Sequence, residues 1–190
     1  MKIKQVVPVL AAFAVLAMPV VASAAANSAN TVINATVNEV ISISTATPVA
    51  ISLTPTGSGV VSSISDTVTV STNRTTGYEL TLKDTDTSSN LVSGGNNFTP
   101  HAGTMAAPTA LADNTWGFAI ATGTTGAETN AFDASYSAET NSTTSTTKWA
   151  GMPTSSGTAY KLKDTTAAAS GDTTVVWYAA KATTAQPNGV

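Results

Sequence analysis

Residues 66–83 constrain the fold more than any other stretch, because they hold two segments of strict two-residue alternation around a polar break. In the first, Val68 and Val70 alternate with Thr67, Thr69 and Ser71. In the second, Tyr78, Leu80 and Leu82 alternate with Glu79, Thr81 and Lys83. Successive side chains of a strand point to opposite faces, so each segment has one apolar face and one wet face. The break from Asn73 to Gly77 carries turn chemistry, since Asn and Gly accept the positive φ that other residues resist. A strand that is apolar on one face only needs a second layer over it. The pattern predicts a β-sandwich.

The rest of the chain agrees. Charged residues make up only 10% of the sequence, and Thr, Ser, Asn and Gly fill most polar positions. Thr favours strands over helices, and 190 residues suffice for one domain with a core. Over residues 31–44, Ile33, Ala35, Val37, Ile41 and Ile43 share one parity, as a long first strand bent near Asn38 and Glu39 would show. Residues 49–53 form a short second strand behind Pro48. Trp116, Phe118 and Ile120 alternate with Gly117, Ala119 and Ala121, and Tyr160 and Leu162 alternate with Lys161 and Lys163. Residues 173–181 are apolar on both parities, which suits a strand covered on both faces. Residues 122–148 are low in complexity and read as a long loop with one weak strand. The predicted core is Tyr78, Leu80, Leu82, Trp116, Phe118, Ile120 and Trp177.

The fold class expected is therefore all-β, an immunoglobulin-like antiparallel β-sandwich lacking its last strand. Pro187, Asn188 and Gly189 form a hairpin signal with only Val190 after them, so an unpaired edge is expected beside residues 173–181. Three readings of that edge compete: a truncated fragment, an edge covered by the chain's own loops, and a pilin-like subunit completed by a neighbour's strand. In the third, residues 31–44 are the donor candidate.

The N-terminus reads as a secretory leader. Lys2 and Lys4 precede an apolar run from Val6 to Val21, and Ala22, Ser23 and Ala24 supply a small-residue cleavage site. Cleavage is expected after Ala24, with Ala26 as second choice, leaving residues 25–190 as a single domain with no membrane span. Removal of the leader takes two basic residues and no acid, so the net charge moves from −3 to about −5. No basic patch for nucleic acid or anionic lipid is present. The chain has no Cys, hence no disulfide framework and no thiolate metal site.

Four islands occur in this order: residues 36–43, residues 68–78, residues 114–118 and residues 176–179. Together they resemble a family of exported, uncharacterised surface proteins of candidate-phyla-radiation bacteria. Members of that family continue beyond the Pro-Asn-Gly turn with a Tyr- and Thr-rich strand, which the resemblance implies is missing here. A more distant likeness is to cell-wall-binding domains of the WxL type, although no Trp-x-Leu triplet is present.

Chemistry-bearing residues are few. His101 is the single imidazole, without a Gly-x-Ser-x-Gly elbow to complete a triad, and an exposed loop position is expected for it. Asp84 and Asp86 are the closest carboxylate pair, in surroundings too polar to raise either pKa for glycoside hydrolysis. Asp84, Asp86, Ser88 and Asn90 place oxygens at alternate positions, a calcium candidate lacking the Gly and the closing Glu of an EF-hand. Trp149 and Tyr136 are the glycan-stacking candidates, Trp149 because it stands in a loop. Asn34, Asn73, Asn97 and Asn141 stand in Asn-x-Thr sequons. The expected function is that of a non-enzymatic cell-surface structural or adhesion module without a cofactor, secreted to the outside of the cell. Its partner would be a cell-surface or cell-wall component, or another copy met through an open sheet edge. The alternatives are a glycan- or wall-binding module and a pilin-like subunit.

Overall fold

The computed structural model describes residues 35–45, 48–93, 95–124, 126–127 and 131–189. The leader, and residues 31–34 of the expected first strand, lie outside them. Everything described from Val37 onward belongs to one unit. Its strands are β1 (Ile41–Ser44), β2 (Val60–Thr72), β3 (Glu79–Leu82), β4 (Leu91–Ser93), β5 (Asn96–Pro100), β6 (Thr109–Ala110), β7 (Thr115–Ala119), β8 (Lys148–Trp149), β9 (Tyr160–Asp164) and β10 (Ala169–Ala182). No helix occurs among the described residues.

A six-stranded sheet in the order β1-β2-β10-β7-β5-β4 forms the larger layer. Strands β3 and β9 pair as a second sheet, and β6 pairs with β8. The ladders are antiparallel except for the short parallel pairing of β5 with β7. The fold is all-β, with a curled, mainly antiparallel sheet packed as a β-sandwich. The two alternating segments of residues 66–83 end up in different sheets. The first lies in β2 of the large sheet, while the second begins at Tyr78 and becomes β3 beside β9. The turn at residues 73–77 is therefore the step from one layer to the other.

Strand β2 is longer than its alternation suggests. Its ladder with β10 extends to Val60 opposite Ala182, and Ser62 and Ser63 are buried within it. These small polar side chains are satisfied by the 137–142 loop: Ser62 Oγ accepts from Asn141 N–H at 2.8 Å, and Ser63 Oγ donates to the Ser137 carbonyl at 3.2 Å. Buried polar groups with partners cost little, so a hydrophobic pattern misses this half of the strand. Conversely, residues 49–53 form no strand; residues 48–55 run outside the ladders.

The core lies between the layers around Phe118, Ile120, Val176, Leu162 and Val70, all buried. Tyr78, Leu80, Trp116, Phe118 and Ile120 are buried as expected, while Leu82 and Trp177 are only partly so. The unpaired edge expected beside residues 173–181 is not there. Strand β10 is central, with β2 on one side and β7 on the other. The sheet's outer strands are β1 and β4. Long connections insert the last strand into the middle, an order that adjacency along the sequence does not reveal.

Candidate functional site

The strongest electrostatic constellation joins the two sheets. Lys163 of β9 meets Asp172 of β10 with Nζ to Oδ1 at 2.6 Å, and Tyr78 donates its hydroxyl to Asp172 Oδ2 at 2.8 Å. Lys163 also donates to the Thr173 carbonyl at 3.2 Å. The hydrogen bond from Lys163 holds the Asp172 carboxyl below the usual carboxylate range, against a smaller opposing effect of burial. Burial raises the Tyr78 hydroxyl, and its bond to the Asp172 carboxylate raises it further. Such a group is a clamp, not an acid–base pair, because both members are pushed away from neutral pH. Tyr78→Phe is expected to lose about 1.5 kcal/mol in urea unfolding, the value of a hydrogen bond to a charged group. A loss below about 0.3 kcal/mol would mean that the hydroxyl adds nothing to the carboxylate's hold.

His101 is buried, contrary to the exposed position expected. It follows directly on β5, where the parallel pairing with β7 and the nearby Gly103, Gly117 and Gly151 leave no room around it. Its Nε2 lies 2.8 Å from Thr109 Oγ1, and its Nδ1 accepts the Ala112 N–H at 3.4 Å. Accepting at Nδ1 places the ring proton on Nε2, in the neutral tautomer. Burial lowers the His101 pKa below its ordinary 6.5. The unfolded chain then binds the proton more readily, so the His101 contribution to stability is full above pH 6.5 and is lost as the pH drops through the window between 6.5 and the folded value. Because the chain has one His, a single imidazole NMR signal should titrate with a midpoint below 6.5. A midpoint at or above 6.5 would contradict the burial.

The glycan candidates are brought together, but inward. Trp149 is only 1% exposed, so the expected platform does not include its face. Its ring lies 5.2 Å from that of Tyr136, which in turn stacks on Trp177 at 6.5 Å. Tyr136 donates its hydroxyl to the Lys148 carbonyl at 2.6 Å. Trp149 is drawn in because its strand continues alongside β7, with Ala150 exchanging backbone bonds with Phe118 at 2.8 and 2.9 Å. The loop position inferred from sequence is really a ladder position.

The calcium candidates lie on a surface turn tied to residues 153–155 through the Asp84 N–H and the Asp86 carbonyl. Asp84 Oδ1 accepts the Asp86 N–H at 3.0 Å, and Ser88 Oγ accepts that of Asn90 at 3.4 Å. One oxygen each of Asp84 and Ser88 is thus taken up within the turn. Among the described residues no group of three or more His, Cys, Asp or Glu could hold a metal ion. Of the sequon residues, Asn73 and Asn141 use their side chains internally, accepting Val40 N–H at 2.7 Å and Thr54 N–H at 2.6 Å. Asn97 is exposed in β5, and Asn34 lies outside the described residues.

A feature unforeseen in the sequence is an apolar groove. Three neighbouring cavities of about 230, 180 and 150 Å³ share Ile51 along their length. Their floor is the buried cluster of Phe98, Trp116, Ala180 and Ala182, on β5, β7 and β10. One wall is the extended segment of residues 48–55, with Val49, Ile51 and Leu53 turned to the groove; Leu91 of β4 stands opposite.

No protein-family model matches the chain, and neither a curated protein nor a solved structure does. The alternation of Val49, Ile51 and Leu53 was the one sequence signal of the groove. The clamp left none, since Tyr78, Lys163 and Asp172 are separated by up to 94 residues and meet only through layer packing.

Proposed function

We propose that the chain is a non-enzymatic structural module exported to the cell surface, where a rigid β-sandwich is displayed. The observation that carries this reading is the use of its chemistry-bearing side chains as fasteners. Tyr78, Lys163 and Asp172 tie two sheets together, and both ring nitrogens of His101 face protein groups. A module without disulfides needs such ties to persist outside the cell. The apolar leader and the resemblance to exported surface proteins support the location.

Protease shaving of intact bacteria expressing the full chain tests the proposal. The expected result is loss of the protein from whole cells without lysis, and a shaved or released chain beginning at Ala25 or Asn27. A chain that retains Met1 and resists protease until the cells are broken would overturn it.

A further inference from the structure

We infer that the apolar groove along Ile51 receives the N-terminal arm of a second copy, so that the subunits join head to tail. The inference deepens the structural-module reading and rests on it. Three observations carry it.

The groove has the chemistry of a strand acceptor. Its floor is aromatic and aliphatic, and among the described residues Asp66 is the one charged residue lining it. Its walls are partly open to solvent, with Val49 and Leu91 exposed by 37% and 39%. The covering segment alternates apolar residues toward the floor yet lies outside the sheet ladders. Extended peptides bind such surfaces by placing every second side chain in a pocket.

The arm has the matching chemistry. Residues 25–38 contain no charged side chain, and Ile33, Ala35 and Val37 recur at every second position. The described part of the arm leaves its apolar residues uncovered, Val37 being 83% exposed. Strand β1 itself is not the donor, because residues 41–44 already pair with β2 of their own subunit.

The root of the arm, at Asn38 and Val40, and the groove lie at different levels of the sheet. Asn38 and Val40 are fastened to Asn73, where Asn73 Nδ2 donates to the Asn38 carbonyl at 2.8 Å. The groove begins at the level of Asp66 and runs toward Ala182, which is paired with Val60. Seven residues separate Asn73 from Asp66, roughly 23 Å at strand spacing. The five residues from Asn38 back to Ile33 span at most about 18 Å. Ile33 therefore falls short of its own subunit's groove, and the groove it can enter belongs to another copy. A contact between unlike ends of identical subunits repeats from copy to copy and builds a polymer, linear unless its rotation closes a ring.

The test uses the exported chain beginning at Ala25, purified and followed by size-exclusion chromatography with light scattering. The expected result is concentration-dependent polymer. Ile33→Asp puts a charge in the arm, and Leu91→Asp puts one on the partly exposed groove wall. Each variant alone should be monomeric with an unchanged thermal melt. Mixed, they should form a one-to-one dimer, since one retains a working groove and the other a working arm. If Leu91→Asp fails to fold, Val49→Asp replaces it. A wild-type chain that stays monomeric overturns the inference, as does polymer that survives both substitutions, which would place the contact at β1. Variants that do not pair on mixing overturn it too. The purified contact is measured wherever the protein is found in cells, so failure of export in the shaving experiment would sink the surface reading and leave this one standing.

Discussion

Phe118→Ala is expected to lose about 3–5 kcal/mol of folding free energy, the cost of emptying a fully buried aromatic site. Phe118 has no exposed surface and lies at the crossing of three parts of the fold. Its backbone pairs with Tyr178 of β10 on one side and with Ala150 on the other. Its ring meets Phe132 edge-on at 6.0 Å and Tyr160 of the second sheet at 5.7 Å. Removing the ring strips both aromatic contacts and leaves a cavity that neighbours held in ladders cannot close. Since domains of this size are stable by about 5–15 kcal/mol, the change removes roughly a fifth or more of the total. Urea unfolding should show a lower midpoint at unchanged slope. Val92→Ala, at a residue 69% exposed on the outer strand β4, should shift stability by under about 0.5 kcal/mol. A loss below about 1 kcal/mol for Phe118→Ala would mean that the ring is not the inter-layer contact described.

Phe118 was legible because its strand alternates cleanly and its position carries a large side chain. The same holds for Tyr78, Leu80 and Ile120, whose periodicity alone places them in the core. Periodicity speaks only of faces, however. It states which side of a strand is dry and is silent on which strand lies beside it. Hence the central place of β10 was missed, and the two segments of residues 66–83 gave no sign of belonging to different sheets. Ser62 and Ser63 failed for another reason, since they are buried through hydrogen bonds to a distant loop. A polar residue that finds a partner looks, in sequence, like one that faces water.

The site was less legible than the fold. Trp149 has no alternation around it and reads as a loop residue, yet the pairing of β8 with β6 and the bridge from Ala150 to Phe118 bring it inside. Nothing in the sequence around His101 opposes an exposed loop position. Its burial comes instead from glycines at positions 103, 117 and 151, which let backbone close around it. Glycines spaced so far apart carry no joint signal along a chain. Their role appears only once the strands that hold them are adjacent.

Gly77→Ala should be among the most damaging single-methyl changes in the protein, at about 2–5 kcal/mol. Gly77 has φ of 77°, a left-handed conformation that costs other residues about 1–2 kcal/mol. A Cβ there would also collide with the Thr165 carbonyl, which is backbone and has no rotamer to change. The collision cannot be relieved cheaply, because Thr165 is held on the same spot from both directions. Its N–H donates to the Tyr78 carbonyl at 3.0 Å, and its Oγ1 accepts the Tyr78 N–H at 3.1 Å. Displacing this contact would pull Tyr78 from Asp172 and loosen the clamp between the sheets. Overpacking of this kind adds about 1–3 kcal/mol to the conformational cost. Gly171 separates the two contributions, since its φ is 65° but nothing lies within 4 Å of the Cβ it would gain. Gly171→Ala should therefore cost only about 1–2 kcal/mol. Equal losses for the two variants in urea unfolding would show that the step between layers tolerates a side chain. A Gly77→Ala loss exceeding the Gly171→Ala loss by about 1 kcal/mol or more is the result expected from close backbone contact at Thr165.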